Sequence, residues 1–106
     1  MTTFDKREEG FEQKFAHDEA LRFKATARRN KLLGMWAAEK LGLTGAAAEG
    51  YATEVVTAEI DQPKTDIASK LRKDFDAKGV TISDAEIRKT MTDFLAKAIV
   101  QVQAGT

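Results

Sequence analysis

The chain has 106 residues, enough for one domain with a modest core, and its 17 basic and 17 acidic side chains cancel, which argues against a partner recognised by bulk charge, such as nucleic acid. It contains no cysteine, so disulfides, thiolate catalysis and cysteine-based metal sites are excluded. No apolar run approaches the ~20 residues of a membrane span or has the form of a signal peptide, so we expect a cytoplasmic protein without direct membrane insertion.

The N-terminal segment TTFDKREEGFEQKF carries three phenylalanines among charged residues. At about 100° per residue, Phe4, Phe11 and Phe15 fall within roughly 40° of one another and would form an apolar stripe on a helix. Gly10 and the many charges weaken this segment as an isolated helix. We therefore expect residues 1–18 to be a mobile arm that folds when it docks on a partner. The alternative is that the arm extends the first helix and packs on the end of the bundle.

The first helix is predicted to run to about Leu41, with Gly42 ending it in the left-handed conformation. Its residues 20–38 carry five basic side chains and no acid, whereas residues 1–19 carry three basic and six acidic ones. Gly34 costs about 1 kcal/mol inside a helix relative to alanine, which indicates a close helix contact. A second apolar stripe, about 80° from the phenylalanine stripe, is predicted to face the bundle core: Leu21, Ala25, Leu32, Met35 and Trp36.

The second helix is predicted to begin near Thr44 and to stop before Pro63, which cannot continue a hydrogen-bonded helix. Its apolar face consists of Ala48, Tyr51, Ala52, Val55 and Ala58.

A third helix is predicted from Thr65 or Asp66 to Gly79, burying Ile67, Leu71 and Phe75 at a spacing of four. The fourth has the clearest start signal, because Ser83 and Glu86 in SDAE can form a capping box. We therefore predict an all-α fold, a four-helix bundle of residues 19–106 with a mobile N-terminal arm of residues 1–18.

The stretch FDKREEGFEQKFAHDEALRFKATARRNKLLGMWAAEKLG, from Phe4 to Gly42, resembles the signature of the zeta subunit of alphaproteobacterial F-type ATP synthases. The later segments YATEVV and SDAEIR fit the same family, and length and helix order agree over essentially the whole chain. Members of this family are small natural inhibitors of the catalytic head. The resemblance therefore implies a regulatory subunit rather than an enzyme.

In the resembled family an N-terminal arm inserts into a catalytic interface between the alpha and beta subunits, reaches the gamma shaft and blocks ATP hydrolysis while sparing synthesis. Its role, though not its fold, is similar to that of the mitochondrial inhibitor protein. By this resemblance the chain is cytoplasmic, peripheral at the inner membrane through ATP synthase. We also expect a monomer when it is free. The implied partner-binding residues are the anchors Phe4, Phe11 and Phe15 and the polar contacts Asp5, Lys6, Arg7 and Glu9.

A basic group on the first helix suggests a second hypothesis, a nucleotide-binding regulatory module. Arg28, Arg29 and Lys31 could bind an anion, with Trp36 or Tyr51 as a stacking surface. The chain lacks a glycine-rich loop and a Walker pattern, so we expect no cofactor beyond weak ATP or ADP binding. A third hypothesis is a passive assembly factor, for which removal of the arm would change complex abundance rather than turnover.

Other candidates for chemistry are weak. His17 is the single histidine, and it could act as a pH switch where the arm meets the bundle. Together with its acidic neighbours it does not form a metal site, because adjacent residues cannot all face one ion on a helix. Glu8 and Glu12 have no cavity that would raise a pKa for general acid catalysis. We therefore expect neither a metal nor an active site.

Overall fold

The computed structural model describes residues 18–105, which form four α-helices and no strand. In chain order, α1 spans Glu19–Lys40, α2 Gly45–Asp61, α3 Ile67–Ala77 and α4 Asp84–Gln103. α1 packs mainly on α2 and α4, and α3 packs on α4. The all-α, four-helix prediction is confirmed over this part of the chain. None of its helices is both long enough and apolar enough to cross a membrane.

The helix ends lie where the local signals predicted them. Gly42 and Gly79 follow α1 and α3 with φ angles of 79° and 71°, the left-handed conformation that glycine adopts without steric cost. The Ser83 hydroxyl accepts a hydrogen bond from the backbone N–H of Glu86 at 3.1 Å, and it thereby caps α4 as predicted. α2 ends at Asp61, two residues before Pro63.

The hydrophobic core lies toward one end of the bundle, between the second half of α1, the middle of α2, all of α3 and the first half of α4. Phe75, Leu33, Leu71, Ile87 and Val55 are its largest fully buried side chains. The Trp36 ring meets the Phe75 ring edge-on, with centroids 5.8 Å apart. We call this region the closed end of the bundle.

A close contact between α1 and α2 sets the face of α1 that is buried. A Cβ atom added to Gly34 would lie 2.6 Å from the Cα of Ala52, so only glycine permits this approach of the two backbones. The predicted helix contact at Gly34 is confirmed.

One prediction about the core is wrong in part. Ala25 is buried as expected, but Met35 is 37% exposed and Leu32 is only half-buried. The approach of α2 at Gly34 turns α1 so that Leu33, rather than Leu32, enters the core. The residues of α1 that the fold buries are Ala25, Asn30, Leu33, Gly34, Ala37 and Ala38.

Candidate functional site

The predicted partner contacts of the arm, and the proposed pH switch at His17, lie outside the described residues. These are Phe4, Asp5, Lys6, Arg7, Glu9, Phe11, Phe15 and His17. The division into an arm of residues 1–18 and a bundle of residues 19–106 stays a prediction. What the structure describes is the surface at which the N-terminal segment joins the bundle.

At this junction the Asp18 side chain caps the N-terminus of α1. Asp18 has an extended backbone, with φ −119° and ψ 101°. Its carboxylate accepts a hydrogen bond from the N–H of Leu21 at 3.1 Å, and Glu19 places a further negative charge in the first turn, where the helix dipole favours it. Within the described residues, Asp18 therefore caps the start of α1.

The first half of α1 borders a cleft of about 820 Å³ against the end of α4. We call it the basic cleft. Its floor is mostly apolar, and its rim carries three cations. The lining residues of α1 are Leu21, Phe23, Lys24, Ala27, Arg28, Lys31 and Leu32, and those of the other helices and the C-terminal segment are Val56, Gln101, Val102 and Gly105.

The cations of the basic cleft follow one another along a single face of α1. Lys24, Arg28 and Lys31 are spaced four and three residues apart, a spacing that aligns side chains on a helix. No acidic side chain lines this cleft within residues 18–105. Lys24 and Lys31 are exposed and form no ion pair with another described residue. The cleft therefore combines an apolar floor with a positive rim.

A smaller cleft of about 370 Å³ lies between α1 and the second half of α2. Phe23, which is 59% exposed, lines both clefts, and Ile60 in the smaller one is 50% exposed. We call this region, with its two clefts and exposed apolar side chains, the open end of the bundle. It is the end at which residues 1–17 join the described chain.

Arg29, predicted to act with Arg28 and Lys31, belongs to a different cluster. Its guanidinium donates to Asn30 Oδ1 at 3.1 and 2.9 Å and lies 3.3 Å from Glu59 Oε2. At 100° per residue it points about 100° from Arg28 and 200° from Lys31. The structure therefore brings Arg28 and Lys31 together in the basic cleft and places Arg29 outside it.

The residue that holds this second cluster is Asn30, which the sequence reasoning missed. Asn30 is only 1% exposed, and its amide donates to Glu59 on α2. Asn30 lies three positions before Leu33 and four before Gly34, so it shares their helix face. This spacing could have predicted from the sequence that Asn30 is buried. The cluster of Arg29, Asn30 and Glu59 fastens the first half of α1 to α2.

The proposed aromatic stacking partners are also engaged elsewhere. The Tyr51 hydroxyl donates to Asp74 at 2.7 Å, and the Lys70 ammonium lies 5.4 Å from the centre of its ring. Burial, and then the hydrogen bond to Asp74, raise the pKa of Tyr51 above its ordinary value. Neither Tyr51 nor Trp36 lines the basic cleft. Within residues 18–105 no group of three or more metal-ligating side chains is present.

Comparisons with known proteins cover nearly the whole chain. A family described as ATPase inhibitor subunit zeta matches residues 1–101. A solved structure determined by solution NMR is 39% identical, covers 81% of this chain and 99% of its own, and superposes with a TM-score of 0.68. No curated protein sequence matches the chain.

Proposed function

The chain belongs to the ATPase inhibitor subunit zeta family, and on this premise we propose that it blocks ATP hydrolysis by an F-type ATP synthase through its N-terminal arm. An inhibitor subunit regulates an enzyme and is not one itself. In the proposed complex the arm enters a catalytic interface between the alpha and beta subunits and reaches the gamma shaft. The protein would act in the cytoplasm, peripheral to the membrane, as a monomer when free.

The apolar stripe of the arm supplies the binding energy in this proposal. Burying one phenylalanine is worth roughly 1.5 to 3 kcal/mol, so Phe4, Phe11 and Phe15 together supply about 5 to 9 kcal/mol. Ordering a segment on binding costs about 2 to 5 kcal/mol. Asp5, Lys6, Arg7 and Glu9 would fix the register through polar contacts.

The observation that carries the proposal is the extent of the family match, which includes the arm as well as the bundle. The cap at Asp18 supports it, because it ends α1 at the boundary where the arm is predicted to join the bundle. If the arm is held as the interface closes, it would stop rotation of the gamma shaft in one direction. Rotation in the other direction would expel the arm. Hydrolysis would then be blocked while synthesis continued.

The proposal is tested by removing the stripe from the intact chain. We expect Phe11→Ser with Phe15→Ser to raise the concentration for half-inhibition of ATP hydrolysis at least about a hundredfold. The assay uses the cognate catalytic head freed of its own inhibitor. Gln13→Ser is the matched control, since position 13 lies about 200° from Phe11 on a helix, and it should inhibit as the unaltered chain does. Equal inhibition by the phenylalanine variant would refute the proposal.

Nucleotide binding on the basic face has less support. Arg29 pairs with Glu59, and neither proposed stacking residue lines the basic cleft. The three cations that do line it could still attract a phosphate group. Titration of ATP into the isotope-labelled protein, followed at Lys24 and Lys31, decides whether the cleft takes a nucleotide.

A further inference from the structure

We propose that the basic cleft is the resting place of the protein's own arm, and that residues 4–15 dock there when no ATP synthase is bound. The docking itself is a claim about the free chain. Its regulatory meaning rests on the proposed function, because the phenylalanines that would fill the cleft are those assigned to the enzyme. A docked arm would be hidden from ATP synthase until it is released.

The described residues leave apolar surface exposed at the open end. Phe23 is 59% exposed at the boundary of the two clefts, while Val56 and Val102 contribute to the floor of the basic cleft. A small domain rarely leaves large apolar side chains exposed around a concave surface unless something packs there. The phenylalanine stripe of the arm is the complementary apolar surface within the same chain.

The arm joins the bundle beside the basic cleft. The described chain begins at Asp18, and Leu21 and Phe23, only three and five residues further on, already line the basic cleft. The extended backbone of Asp18 allows the preceding residues to turn away from the α1 axis. Twelve residues, 4–15, span about 18 Å as a helix, and two residues join them to Asp18. The arm can therefore reach the cleft without displacing α1.

The arm and the basic cleft carry complementary charges. Placed on a helix at 100° per residue, Glu8, Glu12 and Asp5 lie about 40° to 100° to one side of the phenylalanine stripe. Lys6, Arg7 and Lys14 lie at other angles, away from this acidic flank. The basic cleft has the matching arrangement, an apolar floor beside Lys24, Arg28 and Lys31, with no acidic lining residue in the described chain. The stripe can face the floor while the acidic flank meets Lys24 and Lys31.

The test uses the full chain with a spin label on one introduced cysteine, Thr3→Cys, which is unique because the natural sequence has none. We expect strong paramagnetic broadening of the Val56 and Val102 methyl signals and weak broadening at Ile82, which belongs to the closed-end core. A flexible arm would also bring the label near the open end for part of the time. The decisive quantity is therefore the change in broadening at Val56 and Val102 when the basic cleft is altered by substitution.

That variant is Lys24→Glu with Lys31→Glu, which reverses two of the charges on the rim of the basic cleft while keeping residues that favour helix formation. We expect it to reduce the broadening at Val56 and Val102 several-fold. Lys73→Glu with Lys78→Glu makes the same change of charge at positions that line neither cleft, and it should leave the broadening as it was. Unchanged broadening in the cleft variant, broadening centred elsewhere on the bundle, or broadening that appears only between labelled and unlabelled copies would overturn the proposal.

The consequence for inhibition is measured separately. If the arm is docked for most of the time, its release by the cleft variant should lower the concentration for half-inhibition about three- to tenfold. The spin-label experiment contains no ATP synthase, so it fails or succeeds independently of the inhibitor proposal. Loss of inhibition in the Phe11 and Phe15 variant, together with no arm contact in the free chain, would refute the docking and leave the proposed function standing.

Discussion

The two ends of the bundle use the same helix in opposite ways. At the closed end, the second half of α1 packs on the core formed with α2, α3 and α4, and Leu33 and Ala37 are completely buried. At the open end, α1 from Glu19 to Asn30 buries only Ala25 and Asn30 and leaves Phe23 59% exposed. The difference shows that α1 is anchored by one half and presents the other as a surface, at the end where the arm joins.

The two ends also differ in the polar contacts that hold their helices together. At the closed end, Arg72 crosses the turn between α3 and α4, pairing with Asp76 and Asp84 and donating to the carbonyl of Ile82. At the open end the cluster of Asn30, Arg29 and Glu59 holds α1 where apolar packing is thin. We therefore expect apolar volume, together with the ion pairs of Arg72, to stabilise the closed end, and hydrogen bonds to contribute most at the open end.

Truncating a phenylalanine at each end is the strongest test of this contrast. Phe75→Ala should lower the free energy of unfolding by about 3 to 5 kcal/mol, because it leaves a cavity in the core. Phe23→Ala should change it by less than about 1 kcal/mol, since the described residues leave that ring 59% exposed. Urea unfolding followed by Trp36 fluorescence measures both. Should the Phe75 variant not fold, Phe75→Leu, with an expected cost under about 1.5 kcal/mol, keeps the comparison possible.

The glycine contact between α1 and α2 gives the next largest effect. Gly34→Ala should destabilise the fold by about 1 to 3 kcal/mol, because the added methyl group meets the Ala52 backbone. Gly50→Ala is the matched control within α2, where nothing lies within 4 Å of the added Cβ. It should stabilise the protein by up to about 1 kcal/mol through helix propensity. Two effects of the same sign would mean that α1 and α2 do not approach so closely.

The hydrogen-bond cluster of the open end should show energetic coupling. Asn30→Ala and Glu59→Ala should each cost about 1 to 2 kcal/mol, because the partner left behind loses a hydrogen bond in a partly buried place. The double variant should cost less than the sum of the two by roughly 1 kcal/mol. Strictly additive losses in thermal or urea unfolding would show that Asn30 and Glu59 do not interact.

The smallest expected effect is a pH dependence at Asp66, whose side chain caps the N-terminus of α3. The hydrogen bond from Ser69 is the largest cause that lowers the pKa of Asp66 below its ordinary value of 3.8, with contributions from Ala68 and Arg88. A lowered folded pKa stabilises the fold above the unfolded value, and this contribution is lost as the pH falls through the folded value. Asp66→Asn should therefore make the melting temperature fall less steeply below about pH 4. Ser69→Ala, which keeps the carboxylate, should show part of this change. Identical acid profiles for all three proteins would contradict the assignment.

Features that depend on neighbouring residues in the chain could be predicted from the sequence. Gly42, Gly79, Pro63 and Ser83 limit helices through their own backbone chemistry, so their effects do not depend on the rest of the fold. Gly34 was also informative, because a glycine inside a helix is costly unless another backbone packs against it.

Features that depend on how the helices dock could not be predicted in the same way. Leu32 and Leu33 are equally apolar, and only the position of α2 decides which one is buried. Arg29 follows Arg28 in the sequence and was predicted to act with it, but the fold places Arg29 beside Glu59, thirty residues further along the chain. The basic cleft combines α1 with the far end of the sequence at Val102 and Gly105, a pairing that no local pattern contains.

The central claim is that inhibition resides in the arm while the bundle folds without it. The most direct measurement compares ATP hydrolysis by the cognate catalytic head in the presence of the intact chain and of a variant lacking residues 2–17, which keeps the Asp18 cap. Circular dichroism of the shortened chain verifies that its helices form. We predict inhibition by the intact chain and none by the folded, shortened one. Equal inhibition by both would place the inhibitory surface in the bundle and contradict the account.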